Sequence, residues 1–561
     1  MNKIYKVKKN AAGHSVACSE FAKGHVRQAV LGSLLIIGAL GISNTASAHV
    51  SGGIRNQDEG YHSAIGGGAE NQATEQYATI GGGYKNQATG EFSTVSGGYN
   101  NQAKGGYTAI GGGLNNHAQG SLSAIAGGAE NQATGDRSTV SGGYNNKAEG
   151  NQSTVAGGHS NIAQGNSSTI AGGIGNQATG TSSTVAGGEH NYATGDGSAI
   201  GGGIGNQAQG NNSTIAGGAN NQANGNQSTV GGGVLNQATG ERSTVGGGHQ
   251  NQATGTWSTI AGGYNNQATG HQSTIAGGLS NTTNGNQSTV GGGYQNQATG
   301  INATVGGGYN NQVNGNQSTI AGGHSNTANG NQSTVGGGLS NTAKGETATV
   351  AGGRGNQAIG NQSTIAGGYQ NQATGHQSTV GGGLGNTAKG ETATIAGGYQ
   401  NQATGHQSTV GGGVLNQATG IQSTIAGGRG NKAIGEYAVI GGGLNNQAQR
   451  IQSTVAGGAN NQATGERSTV GGGYQNQATG HQSTIAGGAN NQATGEYAVI
   501  GGGLNNRAQG IMSAIAGGSE NRATGDRSTV SGGYNNKAEG NQSTVAGGYQ
   551  NQAKNNQSTV G

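Results

Sequence analysis

From Val50 to Val560 a valine or isoleucine stands at every fifteenth residue, without a slip. An asparagine keeps the same period from Asn56 to Asn551. Ser258-Thr259-Ile260-Ala261-Gly262-Gly263-Tyr264-Asn265-Asn266-Gln267-Ala268-Thr269-Gly270-His271-Gln272 serves as the reference unit, numbered one to fifteen. Positions five and six are Gly-Gly throughout. Position eleven is Ala except at Asp58, Thr283 and Val313, and position thirteen is Gly except at Glu75, Arg450 and Asn555. No insertion breaks the register.

Such a period leaves few folds. Helical repeats need about 33 residues or more. The unit has no apolar spacing of three and four, so no amphipathic helix. Collagen would require Gly at every third residue. An all-β solenoid with one unit per turn remains. Two short strands are predicted in each turn, around Ser-Thr-Val/Ile-Ala and around Asn-x-Ala-Thr, with glycines at the corners. Composition alone would suggest disorder: 126 of 561 residues are Gly, none is Pro, and 8% are charged. The strict repeat overrides that reading.

Stacking explains the invariant positions. Each residue lies over its own copy at a spacing of about 4.8 Å. Position three becomes an inward β-branched column, faced by Ala at eleven. Glycines at five and thirteen give room or unusual backbone angles. The asparagines of position nine, among them Asn101, Asn146, Asn266, Asn371 and Asn476, form a ladder in which each amide bonds the next. Burying one Val or Ile and one Ala per turn offsets little of the cost of ordering fifteen residues, so association with further copies is expected.

The first 48 residues have another composition. They hold Lys3, Lys6, Lys8, Lys9, Lys23 and Arg27 against Glu20, and the only cysteine, Cys18. The net charge of +4 comes from this segment; the remainder carries −1. That balance offers no basic stripe for nucleic acid, so no nucleic-acid partner is expected. Residues 28–42 are an apolar run too short for a comfortable membrane span. Ala46-Ser47-Ala48 follows as an A-x-A site, which predicts a signal helix and cleavage between Ala48 and His49. The opening, Met1 to Tyr5, and the stretch from Val16 to His25 resemble the extended signal peptide region of bacterial type V secretion systems. That resemblance implies a Gram-negative cell and export to its surface. The expected domains are residues 1–25 as this extended region, 26–48 as the signal core, and 49–561 as the repeat array.

The array resembles the head repeats of the YadA-like trimeric autotransporter adhesins. Ser258-Thr259-Ile260-Ala261-Gly262-Gly263 stands where that family has N-S-V-A-I-G, and Asn266-Gln267-Ala268-Thr269-Gly270 where it has S-x-A-x-G. This chain departs by one added residue per unit, a Gly in place of Ile and an Asn in place of Ser. With the signal region included, the closest likeness is to the ubiquitous surface protein A and Hag adhesins of Moraxella. The resemblance implies a left-handed parallel β-roll of about 34 turns, a homotrimer, and display above a coiled-coil stalk and an outer-membrane anchor. Neither stalk nor anchor strands are found, and the chain stops at Gly561, which suggests a fragment or a truncated gene. Residues 136–158 recur at 526–548, a sign of duplication.

Columns of like residues are poor ground for catalysis, which needs unlike groups converging. No catalytic residue, cofactor site or metal site is expected. His376 and His406 stand two turns apart, too far to share an ion. The unit is similar to calcium-binding RTX repeats, but those have a nine-residue period and a repeated Asp, whereas Asp58, Asp136, Asp196 and Asp526 are scattered. Position seven holds Tyr in eleven units, including Tyr84, Tyr99, Tyr144, Tyr264, Tyr294 and Tyr309, and Leu in six. This stripe is read as contact between chains or with a ligand. The expected function is a surface adhesin that attaches to host extracellular matrix proteins or receptors. A passive spacer or coat fibre and an ice-binding solenoid are the rivals. Binding is expected at positions seven, eight, fourteen and fifteen.

Overall fold

In a computed structural model, residues 6–9, 15–18 and 52–561 are described. Lys6–Lys9 and Ser15–Cys18 pair antiparallel, with Lys6 opposite Cys18. The expected signal helix over 26–48 and the cleavage point at Ala48 and His49 lie outside the described residues. Among the described residues, no helix is long and apolar enough to cross a membrane.

The array is an all-β parallel solenoid of about 34 turns. It divides into two compact units, Met1–Gly278 and Leu279–Gly561. In the first, Thr139–Val140 pairs in register with Thr154–Val155, and Lys147–Ala148 with Ile162–Ala163. In the second, Thr364–Ile365 pairs with Thr379–Val380, and Gln372–Ala373 with Thr387–Ala388. The strands are two residues long, shorter than expected. A third line of pairing runs along position seven as single bridges, such as Tyr144 to His159 and Tyr369 to Leu384. The sequence reading has two pairing lines per turn; the structure has three. Position seven is a variable column, and that variability hides its backbone role.

The interior holds more columns than Val/Ile and Ala. Ser153, Val155, Asn146 and Ala148 are each fully buried. Chain reversal uses left-handed backbone at two non-glycine positions per turn, eight and fifteen, as at Asn145 (φ 54°) and Gln152 (φ 59°). L-residues visit that region rarely, so the stacked pairing must hold them there. Glycine is needed for two separate reasons. Gly143 at position six has φ +88°, and a Cβ there would stand 2.2 Å from the Gly158 carbonyl oxygen. Gly150 at position thirteen has no unusual φ, but a Cβ would stand 2.1 Å from the Gly165 oxygen. Gly157 at position five has nothing within 4 Å, so it is not there to leave room; its φ of +153° is instead a backbone angle that favours glycine.

The asparagine column is stacked, and its bonds run mainly to backbone, with an amide-to-amide bond at Asn266. Asn101 Oδ1 accepts the N–H of Asn116 at 3.0 Å, and its Nδ2 donates to the carbonyls of Gly97 (2.9 Å) and Gly113 (3.0 Å). Asn146 repeats this with Asn161, Gly142 and Gly158. Asn476 does so with Asn491, Gly472 and Gly488. Asn266 donates to Gly262 and Gly278 and, in addition, to the side chain of Asn251 at 3.1 Å. Each side chain thus satisfies one donor and two acceptors of buried backbone, which would be costly to leave unpaired. Serine at position one does the same in only some turns: Ser378 donates to the Gly375 carbonyl at 2.7 Å, whereas the buried hydroxyls of Ser138 and Ser153 have no partner among the described residues.

Candidate functional site

The buried columns are spent on the fold, so any recognition surface is built from the exposed ones. Position seven leaves its ring outside because the single bridge fixes the backbone and points the side chain away from the core. Tyr84, Tyr99, Tyr144, Tyr264 and Tyr309 are exposed, and Tyr294 is half-buried. They form short runs rather than one stripe. Tyr84 lies against Tyr99 at 5.5 Å, Tyr144 against His159 at 5.2 Å, and His249 against Tyr264 at 4.9 Å. Tyr294, Tyr309 and His324 stack over three turns, at 5.1 and 4.5 Å. Leu114 and Ala129 follow Tyr99 in the same column and break the series.

Charge is arranged along position eight in the first turns. Glu70 lies 3.9 Å from Arg55 and 3.7 Å from Lys85. The Tyr84 hydroxyl, hydrogen-bonded to Lys85, holds that ammonium above its usual pKa, with its own charge and that of Glu70 adding to the effect. A hydrogen bond from Tyr144 to Glu130 raises the tyrosine in the same way. For Tyr534, the nearby charge of Glu520 is the leading cause and their hydrogen bond the second. These exposed contacts tune the surface and add little to stability.

Position fourteen is less free than its variability suggests. Asp136 Oδ1 accepts the Ser121 N–H at 2.9 Å, and Asn151 Oδ1 accepts the Asp136 N–H at 3.0 Å. Asp or Asn here staples adjacent turns through the backbone. Elsewhere the column carries exposed pairs, as between His406 Nε2 and Glu391 at 3.3 Å. Among the described residues, no three His, Cys, Asp or Glu side chains come together as a metal site.

The most continuous aromatic surface lies at position fifteen, which the sequence reading did not single out as aromatic. His62, Tyr77, Phe92 and Tyr107 stack over four successive turns with centroid spacings of 5.2, 4.7 and 4.7 Å and near-parallel rings. Tyr61 meets Tyr77 edge-on, and exposed Leu122 extends the ladder by one turn. Its signal is an aromatic side chain at a constant fifteen-residue step, visible when each column is read locally.

Residues 93–105, 258–270 and 363–375 match the ubiquitous surface protein adhesin repeat. Each match starts on the serine of position one, at Ser93, Ser258 and Ser363, and ends on the glycine of position thirteen. The family unit and the structural turn therefore share one phase. At these three places the chain is similar to an adhesin repeat. The YadA-like head is a coarser likeness. The matched model describes a surface adhesin. No curated protein matches the chain.

Proposed function

We propose that the chain is the head of a trimeric adhesin exported by a type V secretion system, and that it attaches to host extracellular matrix proteins or receptors. The observation that carries this reading is the adhesin repeat recurring in phase with a fold whose exposed columns present the same kinds of group many times. Tyrosine-rich columns suit such a surface, because aromatic side chains are enriched where proteins bind. Repetition turns weak contacts into firm attachment by raising effective concentration.

Beads coated with the full chain test the adhesive reading. They are expected to adhere to epithelial cells and to immobilised matrix proteins, with adherence rising faster than linearly with coating density. Adherence no better than that of bare beads at every density would overturn it and leave a passive spacer. Light scattering tests the assembly: a mass three times the 54.4 kDa of one chain is expected. A monomer at micromolar concentration would rule the trimer out.

A further inference from the structure

Three cations stand in one column near the end of the array. Arg507 pairs in register with Arg522, and Arg522 with Lys537, all at position ten. Both arginines are exposed, and the lysine is half-exposed. Like charges directly opposite on neighbouring strands repel. Among the described residues none of the three has a carboxylate within ion-pair distance. The acids nearest in sequence are Glu520 and Glu539, and Glu520 is engaged with the Tyr534 hydroxyl.

The duplicated block sharpens this. Residues 110–158 recur at 500–548 with five differences. Two of the five convert His117 and Gln132 of the first copy into Arg507 and Arg522 of the second, while Lys147 corresponds to Lys537. The changes thus gather charge in a single column. The near-neutral balance of the array conceals this ladder, so the absence of any basic stripe, read from net charge, does not hold at these turns.

From this we infer that Arg507, Arg522 and Lys537 form a binding site for a sulfated glycosaminoglycan; the inference rests on the adhesin reading and names a ligand class for it. The cations repeat at about 4.8 Å along a straight line. An extended polysaccharide with sulfates on successive sugars presents anions at a comparable pitch over one or two turns. The guanidinium fork matches the oxygens of a sulfate in a bidentate fashion, and a lysine adds a point charge. Three cations are too short a track for tight binding by one copy, which fits an array that works through many weak contacts.

The test uses the full chain on immobilised heparin, with selectively desulfated heparin, phosphatidylserine vesicles and single-stranded DNA as comparisons. Binding to heparin is expected to weaken steeply with added salt, as counterion release requires. The triple variant Arg507→Gln, Arg522→Gln, Lys537→Gln is expected to lose on the order of tenfold in affinity. Gln already fills this column at Gln492 and Gln552 on either side, so the variant keeps the fold, which circular dichroism checks. Lys432→Gln, which removes an isolated cation of the same column, should leave binding unchanged. His117→Arg with Gln132→Arg should add a second site and raise the binding capacity. Undiminished binding by the triple variant, equal binding to desulfated heparin, or tighter binding to vesicles or DNA would each overturn the inference. Bead adherence to cells separates it from the adhesin reading. If the triple variant and wild type adhere equally, and stripping sulfated glycans changes neither, this site is refuted while the adhesin stands. Heparin binding without any adherence to cells refutes the adhesin instead.

Discussion

The side-chain oxygen of Asn371 accepts the backbone N–H of Asn386 at 2.9 Å, one turn further on. The same side chain donates to the carbonyls of Gly367 and Gly383, both at 2.9 Å. Asn371→Ala would strand one buried donor and weaken two acceptors. A loss of about 2–5 kcal/mol is expected. In a stacked array the damage stays near the lesion. Hydrogen exchange should show lost protection in the turns containing Gly367 and Asn386, and unchanged protection ten turns away. Uniform loss along the unit would contradict the clip as a local device.

Adjacent glycines of one corner should respond unequally to the same substitution. Gly368 has φ +88°, and a Cβ would lie 2.2 Å from the Gly383 oxygen. Gly367 has nothing within 4 Å. Gly368→Ala is therefore expected to destabilise by about 2–4 kcal/mol, from backbone strain and overlap together. Gly367→Ala should stay within about 0.5 kcal/mol. Chemical denaturation of the two variants decides the point, and equal effects would contradict the assigned roles.

Why the inward columns are legible in sequence follows from stacking itself. A residue that must sit over its own copy, as Val155 does over its neighbours, admits no variation in kind, so invariance reports burial. The bonding of Asn371 is not legible that way, because its partners depend on where the Gly367 and Gly383 carbonyls point at the corner. The ring ladder of His62, Tyr77, Phe92 and Tyr107 is hidden for a different reason. Position fifteen is mostly polar over the whole array, and a local run disappears when a column is judged by its average. Arg507, Arg522 and Lys537 are concealed likewise by a net charge summed over all turns.

Phe92 is the centre of that ring ladder, 4.7 Å from both Tyr77 and Tyr107. Each stacked pair contributes roughly 0.5–1.5 kcal/mol. Phe92 also holds a φ of 53°, a region no friendlier to alanine. Phe92→Ala should therefore destabilise its turn by about 1–3 kcal/mol through the loss of both stacked pairs. The near-ultraviolet dichroism of the tyrosines should fall with it. An unchanged aromatic spectrum would mean that the rings are not stacked in solution.

His117 stands at position ten where the duplicate copy has Arg507. Burial pushes its pKa below the ordinary histidine value, and the nearby Lys104 ammonium pushes it further the same way. The folded state therefore disfavours the protonated ring relative to the unfolded chain. The stabilising effect of the neutral ring is complete above the unfolded pKa of about 6.5 and is lost as pH falls from there toward the folded value. Hydrogen exchange around His117 should accordingly quicken on acidification below pH ~6.5. His117→Gln, the usual residue of this column, should flatten that dependence, and Lys104→Gln should move the His117 titration midpoint upward. A midpoint at or above that of an exposed histidine would contradict the burial assigned to this ring. Arg507 at the equivalent place carries its charge at every pH of interest, so the two copies should diverge most near neutrality, where only the second presents a full cationic column.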